Sequence, residues 1–184
     1  LRTGSIYALI AIGYTMVYGI AKMINFAHGD IIMVGAYALY FSISVLGLPV
    51  PVALVITVIV CAVLGVVIEK VAYKPLRSAP PLAVLITAIG MSFFLQSASL
   101  LIFGSTPIPF QSVIPNVNIS VGPVVISNIT VVTLIVTAIA MILLTLFVNK
   151  TKMGSAMRAV SEDKGAAELM GINVNSTISL TFAI

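Results

Sequence analysis

Long apolar runs alternate with short polar segments along the chain. Five of these runs have close to the roughly 17–25 residues that a helix needs to cross the hydrocarbon core of a bilayer. They lie at about 4–20, 31–48, 50–68, 82–104 and 129–148, and a further apolar run starts near residue 177. The pattern predicts an all-α, polytopic transmembrane helical bundle with about five spans and the start of a sixth.

A polar break separates the first two runs. Residues 4–48 cannot form one span, because a helix of that length, at about 1.5 Å per residue, would measure roughly 67 Å. The segment "NFAHGD", residues 25–30, is the polar place for the break, and it contains the one histidine of the chain, His28. Asn25 and Asp30 lie on either side of this histidine.

Composition agrees with a membrane protein. The chain is 60% hydrophobic and 8% charged, whereas soluble domains carry roughly 25% charged residues. A soluble domain of this length could not bury so much apolar surface. The chain begins at Leu1 and ends within an apolar run, so we expect it to be part of a longer protein and residues 1–184 to be a partial transmembrane domain.

Basic residues collect in two of the three longer polar segments. Segments 69–81 and 149–175 carry most of them, whereas segment 105–128 has no charged residue. Because Lys and Arg accumulate on the cytoplasmic side of membranes, we expect 69–81 and 149–175 to face the cytoplasm and 105–128 to form an external loop. Short β-branched pieces in this external loop favour a small hairpin. The net charge of +4 then belongs to the inner face of the membrane and not to a nucleic-acid-binding surface.

Little in the sequence points to catalysis. The phosphate-binding pattern G-x-x-x-x-G-K-S/T is absent from the sequence, and one histidine with one cysteine cannot supply the usual ligands of a zinc site. Serines in the apolar runs have no neighbouring base that could activate them. We therefore predict no catalytic residue, no metal site and no cofactor in this chain.

Segment 149–175 contains a predicted helix. Ser161 suits the N-cap position, Glu162 and Asp163 suit the first turn, and Gly171 suits the position just after the end. Ala166, Ala167, Leu169 and Met170 supply apolar contacts between these signals. A short helix of this kind, held between two spans, favours a docking element over a solvated connecting loop.

A polar stripe follows the fourth apolar run. Ser92, Gln96 and Ser99 recur at positions i, i+4 and i+7, so they share one face of a helix. Such a face serves either interhelical hydrogen bonding, which is common in membrane helices, or the lining of a transport pathway. The sequence leaves both interpretations open.

Three stretches resemble one protein family. They are "GSIYALIAIGYTMVYGIAKMINFAHGDIIMVGAY", "EKVAYKPLRSAPPLAVLITAIGMSFFLQ" and "GSAMRAVSEDKGAAELMGINV", at 4–37, 69–96 and 154–174. They are similar to the permease subunits of bacterial branched-chain amino acid ABC importers, and above all to the first of the two paired permeases. The resemblance implies a multi-pass protein of the bacterial inner membrane that works with ATP-binding subunits, a second permease and an external substrate-binding protein, surrounded by membrane lipid.

The resemblance also implies that 154–171 is the cytoplasmic coupling helix, which contacts the ATPase that holds ATP and magnesium. Ala166, Ala167 and Gly171 match the A, A and G positions of the E-A-A-x-x-x-G motif of importer permeases, while Gly165 stands where that motif has glutamate. Residues expected to take part in coupling are Arg158, Glu162, Asp163, Ala166, Ala167 and Gly171.

The leading interpretation is therefore a passive half-channel for branched-chain amino acids, driven by ATP hydrolysed on other chains. Urea or short amides are alternative substrates. A proton-coupled secondary transporter, with His28 and Asp30 as relay groups, is a rival mechanism, and a membrane scaffold without transport activity is a third class. Residues expected along the substrate pathway are Asn25, His28, Asp30, Ser92 and Gln96.

Two hypotheses remain for the polar break. In the first, a broken span ends inside the membrane and a helix starts at Ile31 with Asp30 as its N-cap, so that free N–H groups meet a substrate carboxylate. In the second, the break is a capped cytoplasmic turn that joins two complete spans. The depth of residues 25–30 in the bundle separates the two.

Overall fold

The structure is a computed structural model that describes residues 2–77, 79–109, 117–121 and 124–184. Five helices in these ranges are long and apolar enough to cross a membrane, which confirms the predicted multi-pass helical bundle. The α-helical parts of these spans are α1 (Arg2–Ala21), α2 (His28–Tyr40), α3 (Val50–Ile68), α4 (Pro81–Phe103) and α5 (Asn128–Lys150). Three shorter helices follow: α6 (Lys152–Glu162), α7 (Lys164–Leu169) and α8 (Val174–Ala183).

Two of the spans continue beyond their α-helical part. A π-helical turn over Phe41–Val45 extends α2, while a π-helical turn over Glu69–Tyr73 and a 3-10 turn over Lys74–Leu76 extend α3. The predicted loop 69–81 is therefore mostly helix. The π-helical turn gives way to the tighter 3-10 turn at Pro75, which has no N–H to donate to the preceding turn.

A β-hairpin lies between α4 and α5, as the β-branched pieces of segment 105–128 predict. Strand β1 (Asn118–Val121) pairs antiparallel with β2 (Val124–Ser127). The hydroxyl of Ser127 then caps α5 by accepting a hydrogen bond from the Ile129 N–H at 3.3 Å. Residues 110–116 of the predicted external loop lie outside the described residues.

The basic segments gather at one end of the bundle. Arg77, just beyond α3, donates a hydrogen bond to Asn175 at the start of α8. Lys164 of α7 donates from Nζ to the carbonyl of Ala21, the last residue of α1, at 3.0 Å. We call the end that holds Ala21, Arg77 and Lys164 the basic end. Its assignment to the cytoplasm stays a prediction from charge.

Helix α8 closes tightly on α3 near the basic end. A Cβ on Gly65 would overlap the carbonyl oxygen of Phe182, so the absence of a side chain there permits the close approach. Tyr73, Ile68 and Ile178 are fully buried around this contact. Much of the remaining span surface is apolar and exposed, as expected of helices that face lipid or other subunits.

Segment 154–171 forms parts of two helices and not one. Thr151 caps α6, and Asp163 caps α7 by accepting hydrogen bonds from the N–H groups of Gly165 and Ala166 at 2.8 and 3.0 Å. The predicted N-cap at Ser161 is wrong, because α6 continues through this residue and its hydroxyl donates back to the Arg158 carbonyl. Gly171, with φ +82°, follows α7 as predicted.

Candidate functional site

The connection between α1 and α2 is a short irregular segment, 22–27, held by α3. The Tyr73 hydroxyl donates to Asn25 Oδ1 at 3.1 Å and lies 3.3 Å from the Ile24 carbonyl oxygen. Asn25, Ala27 and Tyr73 are all buried. The connection is thus built into the bundle.

The contacts of His28 show how deep this connection reaches. The imidazole lies against Gly13, where an added Cβ would come within 2.8 Å of His28 Cε1, and the ring meets Tyr14 edge-on with centroids 6.3 Å apart. At 1.5 Å per residue, Gly13 is about 12 Å along α1 from its end at Ala21. Helix α2 therefore begins beside the middle of α1.

Contacts with α3 and α4 give the same depth. The Cys61 thiol, near the middle of the span Val50–Leu76, lies 3.7 Å from the Ile31 carbonyl oxygen. Gln96, which donates to Asp30 at 3.0 Å, is about 22 Å along α4 from Pro81 at 1.5 Å per residue. The start of α2 lies well inside the bundle, which favours the broken-span hypothesis over a turn at the basic end.

The broken-span hypothesis made Asp30 the N-cap of α2, and this detail is wrong. The Ile31 N–H already donates to the Ala27 carbonyl at 3.0 Å, so α2 starts at His28 and Asp30 falls within its first turn. Asp30 is 6% exposed, and its Oδ2 is buried with no hydrogen-bond partner among the described residues. Leaving a carboxyl oxygen unpaired in apolar surroundings is costly, and ionisable groups inside membrane spans commonly mark functional sites.

Asp30 belongs to a polar chain across two helices. Gln96 Nε2 donates to Asp30 Oδ1 and also lies 3.1 Å from Ser92 Oγ on its own helix. The stripe on α4 therefore does make an interhelical hydrogen bond, as one of its two interpretations held. This chain lies on the side of α2 that faces α4.

Asn25 and His28 do not belong to this polar chain. They line an apolar cavity of about 720 Å³ between α1, α2, α3, α5 and α8. Its walls include Leu9, Met16, Val58, Leu144 and Phe147. The structure thus divides the five predicted pathway residues into a cavity pair, Asn25 and His28, and the polar chain Asp30–Gln96–Ser92. The sequence analysis did not predict this cavity. The one available signal was Gly13, which lines the cavity and whose missing side chain leaves room for the His28 ring.

The predicted coupling residues also have separate environments. Ala167 is 3% exposed and packs in the core of the chain, while Ala166 and Gly171 are exposed. Arg158 donates to Asn149 Oδ1 at 2.9 Å, and Asp163 serves as the cap of α7, whereas Glu162 is exposed. The apolar surface at the end of α7 consists instead of Leu169 and the next residue, Met170, which are 91% and 82% exposed.

Residues 1–184 match the family described as the permease component of branched-chain amino acid transport systems. The chain belongs to this family. The resemblance carried by the three sequence stretches is confirmed, and the family accounts for the bundle of apolar helices.

Curated relatives extend the comparison. The chain is 44% identical to the high-affinity branched-chain amino acid transport system permease protein BraD of Pseudomonas aeruginosa, over 100% of this chain and 64% of the relative. It is 43% identical to the corresponding permease protein LivH of Escherichia coli K12, over 98% of this chain and 63% of the relative. A probable branched-chain amino acid transport permease of Methanocaldococcus jannaschii is 30% identical over 94% of this chain and 56% of its own length. The chain thus spans less than two thirds of these relatives, and no solved structure matches it significantly.

Proposed function

We propose that this chain is part of a permease subunit of an ATP-driven ABC importer that moves branched-chain amino acids across the cell membrane. The observation that carries the proposal is the family match over the full length of the chain. ATP and magnesium would bind to partner ATP-binding subunits, so this chain itself would catalyse no reaction. A second permease and an external substrate-binding protein would complete the assembly in the bacterial inner membrane.

The start of α2 is the part of the substrate pathway that the geometry supports best. The positive end of the helix dipole favours a carboxylate there. The unpaired Oδ2 of Asp30 is an acceptor suited to a substrate ammonium group. An apolar cavity beside Asn25 and His28 has room for an aliphatic side chain. A carboxylate, an ammonium group and an aliphatic side chain are the three chemical parts of leucine, isoleucine and valine. Because Asp30 and the cavity lie on different sides of α2, the substrate would meet them one after the other along its path.

Transport by reconstituted vesicles tests the proposal. Vesicles that hold the full-length protein with its partner subunits should accumulate leucine only when ATP is supplied on the ATPase side, and collapse of a proton gradient should leave uptake unchanged. Uptake that follows the proton gradient without ATP would establish the secondary-transporter mechanism instead. Uptake of urea or acetamide in preference to leucine would overturn the substrate assignment.

Helix α7 is the proposed docking element for the ATPase. Replacing Leu169 and Met170 together with aspartate should reduce co-purification of the ATP-binding subunit at least about tenfold, because both side chains are exposed and an interface core excludes charge. Ala167→Arg is unsuitable for this test, since Ala167 is buried within the chain and its replacement would disturb folding. The measurement is the ATPase-to-permease ratio after purification from membranes.

Met153→Asp is the matched control, because Met153 is an exposed methionine of α6 at the same end of the bundle. This variant should retain the ATPase. Normal ATPase recovery with the double aspartate variant would show that α7 is a connecting segment without a docking role.

A further inference from the structure

A second cavity, of about 490 Å³, lies at the basic end between the end of α1, the start of α4 and α7. Lys22, Arg77 and Lys164 line it together with apolar side chains that include Tyr18 and Leu82. We call this space the basic cavity. It is separate from the cavity beside His28, with which it shares no lining residue.

The positive charge of the basic cavity is only partly neutralised. Among the described residues the one ion pair joins Arg77 to Glu69, and no carboxylate pairs with Lys22 or Lys164. Lys164 Nζ donates to a neutral carbonyl, that of Ala21. Burial, followed by the nearby charges of Arg77 and Lys22, lowers the pKa of Lys164 below its usual value. Two lysines therefore face the same space without a counter-charge.

The backbone at Lys22 is also unusual. Lys22 has φ +58°, a left-handed conformation that ends α1 and that glycine or asparagine adopts at lower cost. Its N–H closes the last turn of α1 on the Tyr18 carbonyl at 2.9 Å. A glycine would end the helix equally well, so the helix end alone does not account for a lysine at this position.

The surroundings of the basic cavity match one class of ligand. Tyr18 and Leu82 are 51% and 65% exposed, so their side chains continue from the cavity onto the apolar outer surfaces of α1 and α4. Lysine and arginine clusters between helices, at the cytoplasmic level of a membrane, bind lipid headgroups electrostatically. A free anion would use the cations alone, whereas a lipid would use the cations and the apolar surface together.

We infer that the basic cavity binds the phosphate of an anionic phospholipid from the inner leaflet, with an acyl chain lying along Tyr18 and Leu82. Lys22 and Lys164 supply the positive charge that attracts the phosphate, because Glu69 pairs with Arg77. Because Lys164 belongs to α7 and Lys22 to the end of α1, the bound lipid would join the proposed docking helix to the first span. This inference is independent of which substrate the importer carries.

Lipid binding by the delipidated full-length protein tests the inference. Native mass spectrometry would compare phosphatidylglycerol with phosphatidylcholine of identical acyl chains. Wild-type protein should prefer phosphatidylglycerol, and Lys22→Gly or Lys164→Gln should each weaken that preference about fivefold, as expected for the loss of one basic residue near a lipid headgroup. Glycine accepts a positive φ at position 22, so Lys22→Gly removes the charge without straining the backbone.

Lys152→Gln is the control, since Lys152 is an exposed lysine of α6 that does not line the basic cavity. An equal loss of preference in this control would show general surface attraction and overturn the inference. Inorganic phosphate that displaces phosphatidylglycerol at matched concentration would show a free-anion site and overturn the lipid assignment. Loss of a partner subunit from both cavity variants, with lipid preference unchanged, would assign the lysines to a protein contact.

Discussion

Arg77→Gln is expected to destabilise the folded chain by about 3–5 kcal/mol, the usual cost of removing one partner from a buried ion pair. Glu69 is 0% exposed and pairs with Arg77, whose side chain is 16% exposed. Glu69 Oε2 also accepts from Ser179 Oγ at 2.6 Å, and Arg77 donates to Asn175, so the pair fastens α8 to the end of the third span. Without arginine, the Glu69 carboxylate would stay buried with the Ser179 hydroxyl as its remaining partner among these contacts. The loss of stability is measured by thermal unfolding in detergent, with resistance to protease recorded at increasing temperature.

Two variants control this experiment. Lys74→Gln removes an exposed cation from the same helical extension and should change stability by no more than about 0.5 kcal/mol. Glu69→Gln combined with Arg77→Gln should recover much of the loss, because no buried charge is then left unpaired. Equal stability of Arg77→Gln and Lys74→Gln would mean that the ion pair does not hold α8 in place.

Asp30→Asn is expected to reduce leucine uptake at least about tenfold while leaving the fold as stable as before. Asparagine has the same shape and keeps an acceptor for Gln96, but it cannot offer an ionised oxygen to a substrate ammonium group. Asparagine places a neutral amide nitrogen where the unpaired carboxyl oxygen was, so no new buried charge arises and the chain should not be destabilised. ATP-dependent uptake and thermal unfolding of the same preparation measure the two effects separately.

Ser42→Ala is a suitable comparison, because Ser42 is a buried polar residue in the extension of α2 but lies far along the helix from Asp30. Its uptake should stay near the wild-type rate. Normal uptake by Asp30→Asn would reduce Asp30 to a structural partner of Gln96. A loss of stability that parallels the loss of uptake would lead to the same conclusion.

The larger elements of the fold could be predicted from the sequence because a bilayer imposes simple rules on length and charge. The five spans and the hairpin followed from apolar runs and β-branched pieces, and Gly171 followed from the need for a positive φ after a helix. Errors arose where two local hydrogen-bonding partners compete for one helix end. Asp163 rather than Ser161 caps α7, and the helix that was expected to start at Ile31 starts at His28.

The site itself depended on packing between distant segments, which no local pattern records. The depth of His28 follows from its contact with Gly13, and the partner of Asp30 is on α4. Ala167 matched the coupling motif, yet the packing of α7 turns this residue into the chain and exposes Leu169 and Met170. The sequence could propose residues for a site, but their grouping required the arrangement of the helices.

Thiol labelling at Gly29 tests most directly whether the pathway passes the start of α2. In a Cys61→Ala background, Gly29→Cys should fit without disturbance, because an added Cβ there would have no atom within 4 Å outside its own helix. Ser155→Cys, at the basic end, should react with an impermeant reagent only from the cytoplasm, and Ser105→Cys, beyond α4, only from outside. The broken-span account predicts that Gly29→Cys reacts in one state of the ATPase cycle and is protected at least about tenfold in another. Reaction at the rate of Ser155→Cys in every state, or no reaction in any state, would contradict it.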